Sequence, residues 1–575
     1  MWMSCPRGSA IYRETVSPHS ARMASEIRPG TLRHMTDSAP IRGRFSDDPR
    51  VRAAFAEGAG IYRIVPRAVA RPVDADDCAA LVRWAARTGT PLVPRGAGSA
   101  MGGGNVGDGV VVDLGGLVTP LALDAPARRA RTGPGVTWAA LDAAAAPHGL
   151  RLPPDPSSGR FATLGGMVAT NAAGARTVRY GPVRPWVASL EVVTADGERT
   201  TLARGAPPDA GVAAIARFLA RVAPVLAHHD HEIRARFPRT TKNTAGYALD
   251  RWLETRDLLD LVIGSEGTLA LVTAIEWRLD PRPAASATLR VRLAALEALG
   301  EAVAALRAHA PSAIELLDRT FLDLVARHRP QVLGDVEPGE ALLLVAFEAD
   351  DAATAAAMRD AAARAVAPHA AAVDRATTDV QAAAFWALRH AASPILASLP
   401  PTLRSMQVIE DGCVPVPWLD AYVAAVRAAA RRHGVTAVLF GHAGDGHVHV
   451  NLLPDVTRPD WRGRVGLILS EVTDAVVALG GTPAGEHGVG RLRAPLLERL
   501  YGPAVVRLMR EVKQALDPAG VLNPGIVTGS DDPPLARLKV GDDAAPLPGG
   551  VADALRALER EGAWERDRWE LAEGS

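Results

Sequence analysis

The sequence predicts an α+β fold built as two large blocks, and three observations predict it. The chain has 575 residues, too many for one hydrophobic core, since single cores stop growing near about 250–300 residues. Short β-branched runs alternate with alanine-rich runs of helical spacing along most of its length. A proline-marked stretch, DPRPAAS at 280–286, divides one such pattern from a second.

Composition bounds the function classes. Hydrophobic residues make up 48% and charged residues 22%, the balance of a soluble globular protein. The formal net charge is zero, so neither a nucleic-acid footprint nor an anionic-membrane footprint follows. Arginine carries nearly all the basic charge, which reads as a codon-bias signature. Only Cys5, Cys78 and Cys413 occur, which excludes a disulfide framework and an iron–sulfur cluster held by four thiolates. No apolar run is long enough to span a membrane. Residues 1–35 lack the apolar core of a signal peptide and read as a disordered extension, or as the product of a start placed before Met35. The expected site of action is the cytoplasm, with peripheral attachment to the inner membrane admitted.

The elements follow in order. After a lead-in segment from residue 36, DADDCAALVRWAARTG (74–89) has an acidic first turn, helical spacing and a terminal glycine, so it reads as a helix. PLVPRG (91–96), GVVVDL (109–114), SLEVVTADGE (189–198) and LDLVIGSEGTLALVTAIEWRL (259–279) carry strand signals. These make a first block, 36–283. In the second block, 284–527, TLRVRLAAL, ALLLVAFEAD, SMQVIEDGCV and TAVLFGHAGDGHVHVNLL read as strands, and alanine-rich helices near 352–372, 417–434 and 461–480 separate them. A sheet covered by helices is implied. Residues 528–575 read as a Pro/Gly/charged tail with one amphipathic stretch, 551–561.

Three glycine-dense segments stand out in the first block. PRGAGSAMGGGNVG (94–107) could bring several backbone N–H groups to a diphosphate. Its third glycine falls one residue late for the dinucleotide fingerprint, and no helix follows it. PPDPSSGRFATLGGMVATNAAGARTVRYG (153–181) and GSEGTLALVT (264–273) offer small residues against which a flat ring could lie. Together, in this order, the three resemble the FAD-binding domain of the vanillyl-alcohol-oxidase (PCMH-type) flavoprotein superfamily. The resemblance implies cofactor contacts from Arg95, Gly96, Ala97, Gly98, Ser99 and Gly102 in the first loop. From the second it implies Pro154, Asp155, Thr163, Gly165, Gly166, Thr170, Asn171 and Gly174. From the third it implies Glu266, Gly267 and Val272. The first loop has no histidine, so the FAD is expected to be noncovalent. Ala270 and Pro185 depart from the family pattern.

In GHAGDGHVHVN (441–451), strand periodicity puts His447, His449 and Asn451 on one face and Val448, Val450 and Leu452 on the other. An apolar core would penalise three polar groups on one face, and His442 can fold back toward them. GGTPAGEHGVG (480–490) adds Glu486 and His487, ringed by glycine. Two imidazoles and a carboxylate make a common three-ligand site with an open position. Zn²⁺ is the expected ion, and Mn²⁺ or Fe²⁺ satisfies the same ligand types.

With LDPAGVLNPGIV (516–527), these motifs resemble the C-terminal domain of FAD-linked D-2-hydroxy-acid dehydrogenases, the D-lactate, glycolate and D-2-hydroxyglutarate group. The resemblance implies a PCMH-type FAD domain capped by a ferredoxin-like α+β domain. It implies His442, His449 and Glu486 as metal ligands, His487 as the base, Asn451 at the substrate and Asn523 near the flavin. Arg389, in FWALRHAAS, is implied to bind the substrate carboxylate, with Arg404 assisting. His447 stands where relatives have asparagine; a fourth ligand is one reading, a hydrogen-bond donor behind the ligands the preferred one. The metal would lower the hydroxyl pKa. His487, with an unperturbed pKa near about 6.5, would take the proton while hydride passes to the flavin. Electrons would leave to a quinone, an electron-transfer flavoprotein, a cytochrome or a separate iron–sulfur subunit, and a homodimer is admitted. Two rivals are a non-catalytic flavoprotein subunit of an oxidase complex and a non-redox enzyme resembling alkyl-dihydroxyacetone-phosphate synthases.

Overall fold

The computed structural model describes residues 39–333, 339–400, 402–529 and 532–574. The extension expected at 1–35 lies outside them. In the first block Leu92–Arg95 and Ala68–Arg71 flank Val110–Asp113 in parallel, and Arg44–Ser46 closes one edge antiparallel. The helix Ala75–Thr88 forms as its sequence predicts. The Asp74 carboxylate accepts from the Asp76 and Asp77 N–H groups, and Gly89 ends the helix at φ 66°. Its apolar face, with Leu81, Val82 and Trp84, packs into the same cluster as Val110 and Val112.

An antiparallel sheet follows, in the order Leu121–Asp124, Arg129–Thr132, Ala270–Arg278, Val187–Thr194 and Arg199–Ala203. Here one expectation is corrected. The apolar run at 259–262 is not strand: Leu258–Val262 is a short helix, every residue of it buried. Apart from Asp260, which pairs with Arg184 and Arg204, the run is apolar on every side and carries no period to separate the two forms.

The second block is an antiparallel sheet in the order Ala372–Arg375, Ala285–Leu293, Ala341–Ala349, Ala313–Asp318, Thr436–Gly441, His447–Leu453 and Gly412–Cys413. The expected helices appear as Ala352–Val366, Leu419–Arg432 and Trp461–Ala478. They cover a core that includes Leu289, Val291, Tyr422, Val448, Val450 and Ile468. SMQVIEDGCV is only marginally strand. Met406 makes one bridge to Leu452, and Gly412–Cys413 pairs with Val448 and His447. Between them Glu410 and Asp411 turn their buried carboxylates onto side chains and loop N–H groups.

The two blocks interleave. The helical stretch Leu497–Leu516 lies C-terminal to the second block's sheet, yet Tyr501, Val505, Leu508 and Met509 belong to the first block's core. The C-terminal tail folds as well: Val551, Leu555 and Trp569 pack with Val51, Phe55 and Val111. No described helix is long and apolar enough to cross a membrane.

Candidate active site

A cavity of about 1130 Å³ opens between the glycine-rich segments and the histidine strand. Pockets for drug-sized ligands run to about 300–1,000 Å³, so this one has room for a dinucleotide and a small acid together. One wall is backbone: the stretch Arg95–Ser99, then Thr163, Gly165, Gly166, Thr170 and Gly174, then Glu266, Gly267 and Val272. Two of its glycines are required. Gly98 holds φ +81°, and a Cβ there would meet the Arg95 guanidinium at 2.3 Å. Gly267 holds φ +70°, and its Cβ would meet Pro94 at 2.2 Å. Arg95 is buried with its Nε unpartnered. A cradle of close-approaching backbone fits the diphosphate of FAD, and the terminal nitrogens of Arg95 brace it by donating to the Phe55, Asn105 and Glu57 carbonyls.

Five residues expected at the cofactor stand outside that lining. Gly102 gives its carbonyl to the Arg491 and Leu492 N–H groups. Pro154 is buried, and Asp155 pairs with Arg176. Asn171 accepts from the Arg184 N–H. Asn523 donates to the carbonyls of Gly104 and Glu266. Asp155, Asn171 and Asn523 brace the loops that form the wall. The Glu266 carboxylate accepts from the N–H groups of Val489 and Gly490, tying the flavin wall to the GEHGVG loop. Burial pushes its pKa up to about 7 against those two hydrogen bonds.

The opposite wall carries His442, His449, Asn451, Glu486, His487, Arg389 and Arg404. His442 Nδ1 donates to Glu315 at 2.6 Å, which turns its Nε2 toward Glu486 Oε1 at 3.2 Å and His449 Nε2 at 3.3 Å. His449 Nδ1 donates to the Glu410 carbonyl at 2.9 Å, so its Nε2 is free. His447, the preferred donor behind the ligands, sits inside the same cluster: each of His442, His447, His449 and Glu486 has a ligand atom within 4.8 Å of the others. Its Nε2 donates to Asp411 at 2.9 Å, and its buried Nδ1 has no partner. Burial holds His447 and His449 below the usual imidazole range, so both are neutral and keep a lone pair. Burial opposes the Glu486 charge, but Lys242 and then His442 hold it well below the carboxylate range. Burial opposes a charge on His442 too, but Glu315 and then Glu486 raise its pKa. An anionic oxygen beside the neutral imidazoles of His447 and His449 fits a divalent ion, and the orphaned His447 nitrogen offers a fourth donor.

The ligand loop rests on residues that the sequence reading missed. Lys242 is fully buried, with its ammonium 2.7 Å from Glu486 and 3.5 Å from Asp445. Glu315 joins His442 to Arg389, whose Nε donates to it at 2.7 Å; the His442 and Arg389 charges outweigh burial and hold its pKa down to about 2. Glu410 accepts from His487 Nδ1 and from Arg493, each at 2.6 Å. These partners correct one expectation. His487 is not an unperturbed imidazole: although burial opposes its charge, Glu410 and Asp411 raise its pKa to about 9. Asn451 accepts from Ser405, and Arg404 lies 3.5 Å from Glu559.

Comparison with known proteins adds to this geometry. A family model described as an FAD binding domain matches residues 66–203, and one for the C-terminal domain of FAD linked oxidases matches 282–527. The chain is 31% identical to a D-lactate dehydrogenase of Archaeoglobus fulgidus over 81% of this chain and 93% of that one. It is 30% identical to glycolate oxidase subunit GlcD of Bacillus subtilis, over 82% and 90%. The D-2-hydroxyglutarate dehydrogenase of Xanthomonas citri gives 30% over 82% and 90%. Among solved structures, p-cresol methylhydroxylase superposes with a TM-score of 0.61 at 15% identity, covering 84% of this chain and 94% of that one. An alkyldihydroxyacetonephosphate synthase gives 0.58 at 16%, covering 84% and 83%. Both share the fold.

Proposed function

This chain belongs to the FAD-linked D-2-hydroxy-acid dehydrogenase family, and from that premise we propose that it oxidises a small D-2-hydroxy acid to the 2-oxo acid. The lactate, glycolate and 2-hydroxyglutarate class is the substrate range. The observation that carries the reading is the convergence of His442, His449, Glu486 and His487, with His447 clustered on the first three, on a cavity whose other wall is the flavin cradle.

The residues divide the work. His487 Nδ1 is held by Glu410, so Nε2, 3.5 Å from Glu486 Oε1, is the atom that takes the hydroxyl proton. Arg389 has its Nε on Glu315 and its guanidinium over the Phe440 ring at 4.8 Å, which fixes the plane of its terminal N–H groups for the substrate carboxylate. Asn451 and Arg404 complete the polar side of the pocket. A bound divalent cation, Zn²⁺ in our reading, supplies Lewis acidity at the hydroxyl and a positive field that favours neutral His487. FAD supplies the hydride acceptor. Electrons then pass to an external carrier, such as a quinone, an electron-transfer flavoprotein or an iron–sulfur partner.

The test is anaerobic mixing of the holoenzyme with a panel of D- and L-2-hydroxy acids while the visible band of oxidised flavin is followed. Bleaching by D-acids of this class is expected. A flavin that stays oxidised with every member of the panel overturns the proposal.

A further inference from the structure

The segment beyond Val527 lies outside both family-model matches, yet it lines the cavity beside the substrate wall. Tyr62 Oη donates to the Pro534 carbonyl at 2.6 Å, and the Lys539 N–H donates to the Ile61 carbonyl at 2.8 Å. The helix Gly549–Glu561 buries Val551, Leu555 and Leu558 and packs on Ala392–Ala397, the next helix after Arg389. Beyond it the chain runs to the second glycine-rich loop, where Arg160 donates to the Gly562 carbonyl at 3.3 Å. The segment so placed brings Lys539, Arg556 and Glu559 into the same cavity as Arg389, Arg404 and Asn451.

Glu559 is the one carboxylate among the described residues at ion-pair distance from Arg404, 3.5 Å away. It also accepts from the Lys539 ammonium at 3.0 Å. Burial opposes its charge, but Lys539 and then Arg404 hold its pKa below the usual carboxylate range, so it is an anion at neutral pH. Arg556 is engaged elsewhere, by Asp553 at 2.6 Å. Arg404 is tied to the ligand strand through its neighbours: Ser405 donates to Asn451 at 2.8 Å, and Met406 bridges to Leu452. His449 and Asn451 follow each other on one face of that strand, about 6–7 Å apart along it. A hydroxy acid seated at His449 that carried a second carboxylate a few carbons away would thus meet Arg404, the cation beyond Asn451 on this wall. Glu559 already holds that cation. A second anion there would face a like charge and would have to break the pair.

We propose that Glu559 sets substrate specificity: it stands at Arg404 in place of a second substrate carboxylate, and so restricts the chain to 2-hydroxy monoacids against 2-hydroxy diacids. The inference rests on the 2-hydroxy-acid reading above and narrows it. Arg389, whose Nε is held by Glu315, remains for the α-carboxylate that both classes share.

The test is stopped-flow flavin reduction of the full-chain holoenzyme by D-lactate, D-2-hydroxyglutarate and D-2-hydroxypentanoate. The last has the carbon chain of the glutarate without its second carboxylate, so it separates charge from size. Wild type is expected to favour the pentanoate over the glutarate roughly tenfold or more in the second-order rate constant. Glu559→Gln keeps the shape, removes the charge, and should move that ratio roughly tenfold toward the diacid. Adding Arg404→Gln should cancel the gain. A loss of fold or of FAD lowers both rates together and leaves the ratio where it was. Wild type that reduces its flavin with the diacid as fast as with the pentanoate overturns the proposal. So does a ratio that Glu559→Gln does not move, or a gain that survives Arg404→Gln. Equal rejection of both five-carbon acids beside D-lactate marks a limit of size and overturns it as well. A flavin that no acid reduces overturns the substrate reading, and this inference with it; reduction with an unmoved ratio overturns this inference alone.

Discussion

Glu315→Gln separates the ligand geometry from mere burial of a charge. Glu315 is 1% exposed and uses its two oxygens separately, Oε1 for His442 Nδ1 and Oε2 for Arg389 Nε. A carboxamide of the same shape has one acceptor and one donor. Arg389 has only donors, so it claims the oxygen and the amide N–H turns to His442. The imidazole then accepts at Nδ1 and carries its proton on Nε2, the atom that faces Glu486 and His449. A ligand nitrogen is lost without any change of volume. Partners of this kind are worth about 10–100-fold in metal affinity, or about 1.4–2.7 kcal/mol. The assay is competition for Zn²⁺ between the reconstituted protein and a fluorescent chelator, with FAD content measured on the same sample. A 10–100-fold weaker Zn²⁺ affinity at unchanged FAD content is expected. If the variant holds Zn²⁺ as tightly as wild type, His442 Nε2 is not a ligand and the site has been misread.

Four further outcomes are expected. His487→Ala should keep its FAD and its fold while flavin reduction by substrate in stopped flow slows by about 10²–10⁴-fold. Lys242→Met leaves Glu486 and Asp445 buried without their cation, and should lose about 3–5 kcal/mol in denaturant unfolding of the metal-free chain. Gly98→Ala forces a side chain to φ +81° against Arg95, and should lower the flavin-to-protein absorbance ratio after purification. Glu266 provides a pH dependence. Its folded pKa lies above its usual value of 4.5, at about 7, so ionisation costs stability. The cost is absent below pH 4.5, grows through the window and is complete above pH 7, at about 3 kcal/mol. Glu266→Gln keeps an oxygen for the Val489 and Gly490 N–H groups and should remove that loss from the wild-type unfolding profile.

What the sequence made legible was local. Strand period alone put His447, His449 and Asn451 on one face, and the glycines around Glu486 and His487 exposed both to it; the structure joins them. The supporting residues were illegible because their partners are remote in the chain. Glu315 is 127 residues from His442, Lys242 is 244 from Glu486, and Glu410 is 77 from His487. The same distance hid the raised pKa of His487, since nothing in GEHGVG shows that Glu410 and Asp411 flank it. In the tail the amphipathic stretch 551–561 was legible and lies in the helix Gly549–Glu561, with Val551, Leu555 and Leu558 buried; the anchors Asp567 and Trp569 were not, because they are single residues without a period.

One remote signal was nonetheless present in the composition. Of 64 basic residues only three are lysine: Lys242, Lys513 and Lys539. In a chain that takes arginine almost everywhere, a retained lysine marks a place where a planar fork does not serve. The structure bears this out in particular contacts. Lys513 donates to Asp517 and to the Thr268 and Leu522 carbonyls. Lys242 donates to Glu486 and the Gly174 carbonyl, with Asp445 beyond. Three acceptors around a compact cation suit an ammonium, whose three donors point apart, and defeat a guanidinium, whose five lie in one plane. Lys539 donates to Glu559, and both line the cavity. Rarity of a residue type against its chemical twin thus carried information about the site that neither period nor motif contained.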